Sequence, residues 1–160
     1  MWKDFVNELD YLPEKNFNCF FNSLYHLLLK YTWCIPSAAY KSQPDVSLFD
    51  HLRTTAAITF CLYNAKIKDI SDKEFVLLCG DISGIQRFIY KISSKGAAKL
   101  LKGRSFYLQL ISDAIARYFL RVTGYYIPNL LYSGGGRFYL LLDASSGEKI
   151  IKEYAKQVNK

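Results

Sequence analysis

Five consecutive apolar residues, Phe75-Val76-Leu77-Leu78-Cys79, run straight into Gly80-Asp81 and then into Ile82-Ser83-Gly84-Ile85-Gln86-Arg87-Phe88. An apolar run of that length ending at glycine reads as a buried central β-strand. The residues after it read as a glycine turn that opens a basic helix. Glycines such as Gly80 and Gly84 let a backbone approach a ligand, while Ser83 and exposed amides can donate to phosphate oxygens. The start of a helix adds to such an anion site. The same residues also suit a plain strand-to-helix turn with Asp81 as the cap of the next helix.

Upstream of this run the period is helical. Phe17, Phe20, Phe21, Leu24, Leu27, Leu28 and Tyr31 recur at three-four spacing and share one helix face. Pro36 and Pro44 bracket a polar connection, and Ser47 followed by Asp50 resembles a capping box with a short acid. A second helix is expected from about Val46 to Tyr63, with Leu48, Leu52, Thr55, Ile58 or Thr59, and Leu62 as its buried stripe and His51 on the same side. Residues 65–73 are polar and charged and read as a linker between a helical region, 1–64, and a second domain, 74–160.

Downstream, Tyr107, Leu108, Ile111, Ala114, Ile115, Tyr118, Phe119 and Val122 form the stripe of a long helix over Arg104 to Arg121, closed by Gly124. Leu130-Leu131-Tyr132 and Phe138 to Leu142 are two strands joined through Ser133-Gly134-Gly135-Gly136, a glycine-dense hairpin. A final helix starts at Ser145 or Ser146 and carries Ile150, Ile151, Tyr154 and Val158. The class is α+β: a helical N-terminal segment, then a ferredoxin-like βαββα array that lacks the last strand of the complete unit. The chain reads as a fragment, with its first strand an open edge that invites self-association.

The 160 residues are 51% hydrophobic and carry a formal charge of +7, which excludes a disordered tail and points to an anionic partner. Between Ile82 and Ser112 there are six basic residues, Arg87, Lys91, Lys95, Lys99, Lys102 and Arg104, and no acidic one. Interleaved with Phe88, Tyr90, Phe106 and Tyr107, they suit a phosphate-bearing partner or serve as a solvated face. Gly96 interrupts their spacing, so a loop is expected there. Four scattered cysteines without a C-x-x-C pair argue against zinc, and Cys61 and Cys79 are expected to pack as small hydrophobes. No apolar run reaches the roughly 18 to 20 residues that cross a bilayer. The default location is cytoplasmic.

The run Gly80-Asp81-Ile82-Ser83-Gly84-Ile85-Gln86, with Gly103-Arg104-Ser105-Phe106-Tyr107 and Tyr132-Ser133-Gly134-Gly135-Gly136-Arg137-Phe138, resembles the first polymerase-like palm of the large subunit of type III CRISPR interference complexes, most closely the Csm type. The resemblance covers roughly residues 31 to 143. It implies an ATP site in which Gly80, Asp81, Ser83, Gly84, Ser105, Asn129, Gly134 and Gly135 take part. The helical part resembles the end of a permuted HD nuclease domain, with His51 as one metal-binding histidine of an incomplete set.

Related palms place metal-binding carboxylates after the hairpin glycines, and Arg137 stands there instead. Two metal ions held about 4 Å apart need paired acids, so no catalytic residue is assigned and the chain alone should be silent. In the full-length family the resemblance implies ATP with Mg or Mn, synthesis of cyclic oligoadenylates and cutting of single-stranded DNA. It also implies guide RNA, target RNA and a Cas5-like subunit as partners, met in part through the basic run. Neither ATP nor the metal is expected to bind the fragment tightly. The competing readings are an RNA-binding or assembly module that uses its sheet as a platform, with Tyr132, Phe138 and Tyr139 as its aromatics, and a nucleotidyl cyclase relative, which the missing acids disfavour.

Overall fold

The structure is a computed structural model that describes residues 1–38, 40, 43–65, 75–91 and 96–158. Most of the expected linker, from residue 66 on, and Lys95 lie outside the described residues. The chain forms two compact units, Met1–Ala56 and Ala57–Lys160.

The first unit is helical. Helix α2 (Phe17–Thr32) follows its predicted period and is capped by Asn16, whose side chain accepts from the Cys19 amide at 3.1 Å. A helix that the periodicity reading does not include, α1 (Trp2–Leu9), packs against it. Its Phe5 meets Tyr31 edge-on at 5.5 Å, and its Glu8 accepts from Lys30 at 2.6 Å and from the Tyr31 hydroxyl at 2.8 Å.

Helix α3 (Leu48–Asn64) begins with the expected capping box: the Asp50 amide donates to Ser47 Oγ and the Ser47 hydroxyl to Asp50 Oδ2, each at 3.0 Å. Its buried stripe differs from the expected one. Phe49, Ala57 and Cys61 are buried, whereas Leu52, Thr55, Ile58, Thr59 and His51 are exposed. Hydropathy picks the larger aliphatics, but the small side chains of Ala57 and Cys61 permit the closer approach, and contact area follows distance.

In the second unit β1 (Phe75–Asp81), β2 (Leu130–Gly134) and β3 (Arg137–Asp143) form an antiparallel sheet in the order β1-β3-β2. That is the strand order of a ferredoxin-like unit without its fourth strand. Among the described strands β1 is an edge, not the central strand its composition suggests, and its residues alternate between half-buried and exposed. The reason is layering: α5 (Ala97–Thr123) and the helix at residues 144–149 cover one face only, so Val76 and Leu78 pack inward while Phe75, Leu77 and Cys79 face outward. Cys79 is accordingly exposed and not packed as expected, whereas Cys61 is buried.

Helix α5 starts seven residues before the expected Arg104, so Lys99, Lys102 and Arg104 are helical and not part of a loop. It ends as expected at Gly124, where φ is +76° and the Tyr125 amide donates to the Leu120 carbonyl at 2.8 Å. Ala116, Phe119 and Leu120 of α5 pack with Phe138, Leu140 and Leu142 of β3, with Ile150 and with Cys61 to form the core. The C-terminal helix α6 (Ala144–Lys149) is capped by Asp143, one or two residues before the expected start, and continues through a π-helical turn, Ile150–Tyr154. Ile150 is buried but Ile151 is exposed.

Candidate nucleotide site

Strands β2 and β3 are joined by a two-residue turn in which Gly135 and Gly136 both have positive φ, +61° and +83°. This backbone matches the strand twist, and glycine reaches it without strain. The turn fixes the register, so Gly134 faces Arg137 and Tyr132 faces Tyr139; on the other side of β3, Asp81 lies opposite Arg137. Gly136 has a second function. Its carbonyl accepts from the Ile82 amide at 2.9 Å, and a Cβ there would lie 2.0 Å from the Ile85 side chain. The hairpin thereby anchors the turn after β1 and the short helix α4 (Ile85–Tyr90) that follows Gly84.

These elements enclose a hollow of about 900 Å³ lined by Asp81, Ile82, Gly84, Ile85, Gln86, Arg87, Tyr132, Gly134, Gly135, Arg137 and Tyr139. The Tyr132 and Tyr139 rings lie side by side, with centroids 6.0 Å apart. Gly134 makes room for the first of them, since a Cβ at that position would be 2.7 Å from the Tyr132 hydroxyl. Arg137 donates through Nε to Asp81 Oδ1 at 2.7 Å, which holds its guanidinium more firmly protonated. Arg87 makes no ion pair among the described residues.

Of the eight residues expected to form a nucleotide site, Asp81, Gly84, Gly134 and Gly135 meet in this hollow. The other four do not line it. Gly80 makes room for the Phe138 ring, which would be 2.1 Å from a Cβ there. Gly80 and Ser83 line a neighbouring hollow of about 460 Å³ that shares Asp81 and Ile82 with the first and adds Ile111, Ile115 and Ile151. Ser105 is exposed in the body of α5, because that helix starts earlier than its stripe suggests.

Asn129 is only 1% exposed. Its amide donates to the carbonyls of Ala57 at 3.1 Å and Leu141 at 2.8 Å. Its nitrogen ties α3 to β3, while its buried Oδ1 has no hydrogen-bond partner among the described residues.

The basic run also divides. Arg104 is half-buried, donates to the carbonyls of Phe88 at 2.5 Å and Lys91 at 2.8 Å, and stacks over the Phe88 ring at 5.3 Å. It closes the C-terminal end of α4 through Nη1 alone, and with Gly84, Arg87, Phe88 and Lys91 it lines a hollow of about 280 Å³. Arg87, Lys91, Lys99 and Lys102 are exposed. Sequence reasoning misses Tyr132, Tyr139 and the Asp81–Arg137 pair as a set. A two-residue glycine turn and the alternation of strand side chains are the signals that place all of them on one face.

Among the described residues, no group of three or more His, Cys, Asp or Glu side chains comes together as a metal site. Asp81, the one carboxylate lining the hollow, accepts from Arg137 through Oδ1 and stands without a second acid beside it among the described residues. These donors do not fit the Mg or Mn that the resemblance implies. The volume, aromatic pair and cations of the hollow do fit a nucleotide.

A family model described as Csm1 subunit domain B matches residues 74–160. The chain belongs to the Csm1 family. It is 39% identical over 173 residues to a Cas10/Csm1 single-strand-specific deoxyribonuclease (subtype III-A) of Methanocaldococcus jannaschii, an alignment covering 87% of this chain and 22% of that relative. Among solved structures, Csm1 of T. onnurineus superposes with a TM-score of 0.77 at 31% identity, over 95% of this chain and 22% of that one. A Csm1–Csm4 cassette in complex with cA4 gives a TM-score of 0.76 at 30% identity, over 95% and 22%. Other matched Csm1–Csm4 cassettes hold one ATP or AMPPNP. The chain thus spans about a fifth of the length of the Csm1 proteins it matches. No described helix is long and apolar enough to cross a membrane.

Proposed function

We propose that this chain forms one wall of an ATP site and works as part of a longer Csm1 polypeptide that makes cyclic oligoadenylates and cuts single-stranded DNA in antiviral defence. The observation that carries this reading is the hollow at the end of the sheet, where Asp81, Gly84, Gly134 and Gly135 meet the Tyr132 and Tyr139 rings. It supplies surface for a base and charge for phosphates but no free acid pair, so the metal-binding carboxylates come from another palm.

Residues 1–64 are the C-terminal part of an HD-type domain, 65–73 the linker and 74–160 the first palm. His51, exposed on α3, is one ligand of a metal set completed elsewhere. A Csm4-type, Cas5-like subunit, guide RNA and target RNA are the partners, and the complex is cytoplasmic.

An NMR titration of the purified chain with ATP tests the site. Binding near 1 mM is expected for half a site, which corresponds to about −4 kcal/mol. Amide shifts should concentrate at Asp81, Gly84, Gly134 and Gly135. Shifts centred on Ser105, or none at all, would refute the assignment.

The open sheet face supports a second reading. Leu77 is 59% exposed and Tyr132 53%, as in a platform for single-stranded RNA. RNA binding with a steep salt dependence that ATP does not displace would favour it.

A further inference from the structure

The hollow attracts an anion by a route other than the one its sequence suggests. Helix α4 has six residues, too few for its amino end to serve as an anion site. Of the charged side chains lining the hollow, two are guanidinium groups, Arg87 and Arg137, against one carboxylate, Asp81. Asp81 and Arg137 face each other across paired strands, in a register that the Gly135-Gly136 turn fixes. Their hydrogen bond uses Nε of Arg137, which leaves the terminal amino groups of the fork for another acceptor. Arg104 donates through Nη1 to the Phe88 and Lys91 carbonyls, which fixes the end of the helix that carries Arg87.

We infer that Arg87 and Arg137 form a two-guanidinium clamp for the polyphosphate of a nucleotide, with Asp81 as the tether that aims Arg137, and that binding at this wall requires no divalent metal. The inference rests on the reading of the hollow as a nucleotide site. A guanidinium fork matches phosphate oxygens two at a time and supplies fixed positive charge in place of a metal ion. Asp81 accepts from Arg137 through Oδ1 and leaves only Oδ2, so the hollow offers a cation one carboxylate oxygen against two guanidinium groups for the phosphates. The Tyr132 and Tyr139 rings lie in the same hollow and offer π-faces on which a base can stack. Phosphates at the arginines and base at the tyrosines give the nucleotide one orientation.

The test is a calorimetric titration of the purified 160-residue chain with ATP, ADP and adenosine, first in excess EDTA and then with Mg²⁺. ATP should bind in EDTA, more tightly than ADP, with adenosine weakest. Arg137→Gln and Arg87→Gln should each weaken ATP about five- to tenfold while leaving adenosine unchanged, and Arg137→Lys should restore only part of the loss, because it returns the charge without the fork. Both arginines are exposed, so the variants should keep the parent's circular dichroism and melting temperature.

Strict dependence of ATP binding on Mg²⁺, or arginine variants that bind ATP as the parent does, would overturn the clamp. Equal affinity for adenosine and ATP, lost in Tyr132→Ala, would also overturn it while leaving the hollow as a nucleoside site. If no nucleotide bound in either buffer, the nucleotide reading would fall and the clamp with it.

Discussion

Strand β3 ends in two charged residues, Arg137 and Asp143, and the two ends have opposite surroundings. Arg137 is 58% exposed and bonds Asp81, itself 51% exposed, at the rim of the hollow. Asp143 is 3% exposed. It accepts from the Tyr125 hydroxyl at 2.6 Å, from Ser145 Oγ at 2.5 Å and from the Ser146 amide at 3.0 Å, while its own amide donates to Tyr125. Burial alone would raise the Asp143 carboxyl, but the hydrogen bonds from Ser145, Ser146 and Tyr125 outweigh it and hold the group at about 2. Burial and the same contact push the Tyr125 phenol well above its ordinary range, and burial pushes the Cys61 thiol up to about 11. One end is a closed network with its partners satisfied. The other keeps hydrogen-bonding capacity free, which is the condition for binding something else.

The comparison is most severely tested at the closed end. Asp143→Ala removes the cap of α6 and leaves the Tyr125 hydroxyl buried without its acceptor. Loss of a cap costs about 1 kcal/mol and an unsatisfied buried donor about 2 more, so a loss of about 3 kcal/mol is expected in urea unfolding. A loss below about 1 kcal/mol would mean that this end is no more structural than the other.

Acid should expose the same asymmetry. A carboxyl at about 2 when folded and near 4 when unfolded contributes stability that is complete above about pH 4 and is lost as pH falls towards 2. The shift corresponds to about 2 kcal/mol. Unfolding free energies measured between about pH 5 and about pH 2 should show this loss in the parent. In Asp143→Asn the loss should be smaller by about that amount, and parallel profiles for the two proteins would contradict the assignment.

The sequence shows the order of the main elements from α2 onward, though not α1, because helical and strand periods, the Ser47 cap, the Gly124 cap and the paired turn glycines are all local. It shows less of what depends on layering. The run Phe75 to Cys79 looks buried on both faces, yet helices cover one, a fact no window within β1 contains. The α3 stripe misleads for a related reason: Ala57 and Cys61 are small, and small residues become core only when another element comes close. At the site, the glycines are legible as a group, but their separate uses are not. Gly80 makes room for Phe138, Gly136 for Ile85 and Gly134 for Tyr132 two residues back on its own strand, and the first two uses depend on neighbours distant in sequence. Asn129 suggests a ligand contact by type and is buried against internal carbonyls, and Arg104 also braces α4, since a polar side chain gives no sign of which carbonyls will reach it.

The smallest effect belongs to the open end, and it separates the two roles most sharply. An exposed ion pair gains little in water, because solvent screens it and two long side chains must be ordered to form it. Asp81→Asn should therefore shift the melting temperature by less than about 2 °C. The substituted amide can still accept one hydrogen bond from Arg137 but no longer holds it by charge, so the arginine should become more mobile. Side-chain Nε relaxation of Arg137 by NMR should show that gain in motion while the amides of β1 and β3 stay as they are. A drop in melting temperature as large as that of Asp143→Ala would mean that the pair holds the sheet together, and the contrast between a structural end and a binding end of β3 would fail. Unchanged Arg137 motion would instead mean that strand register alone aims the guanidinium, and Asp81 would no longer be needed as a tether.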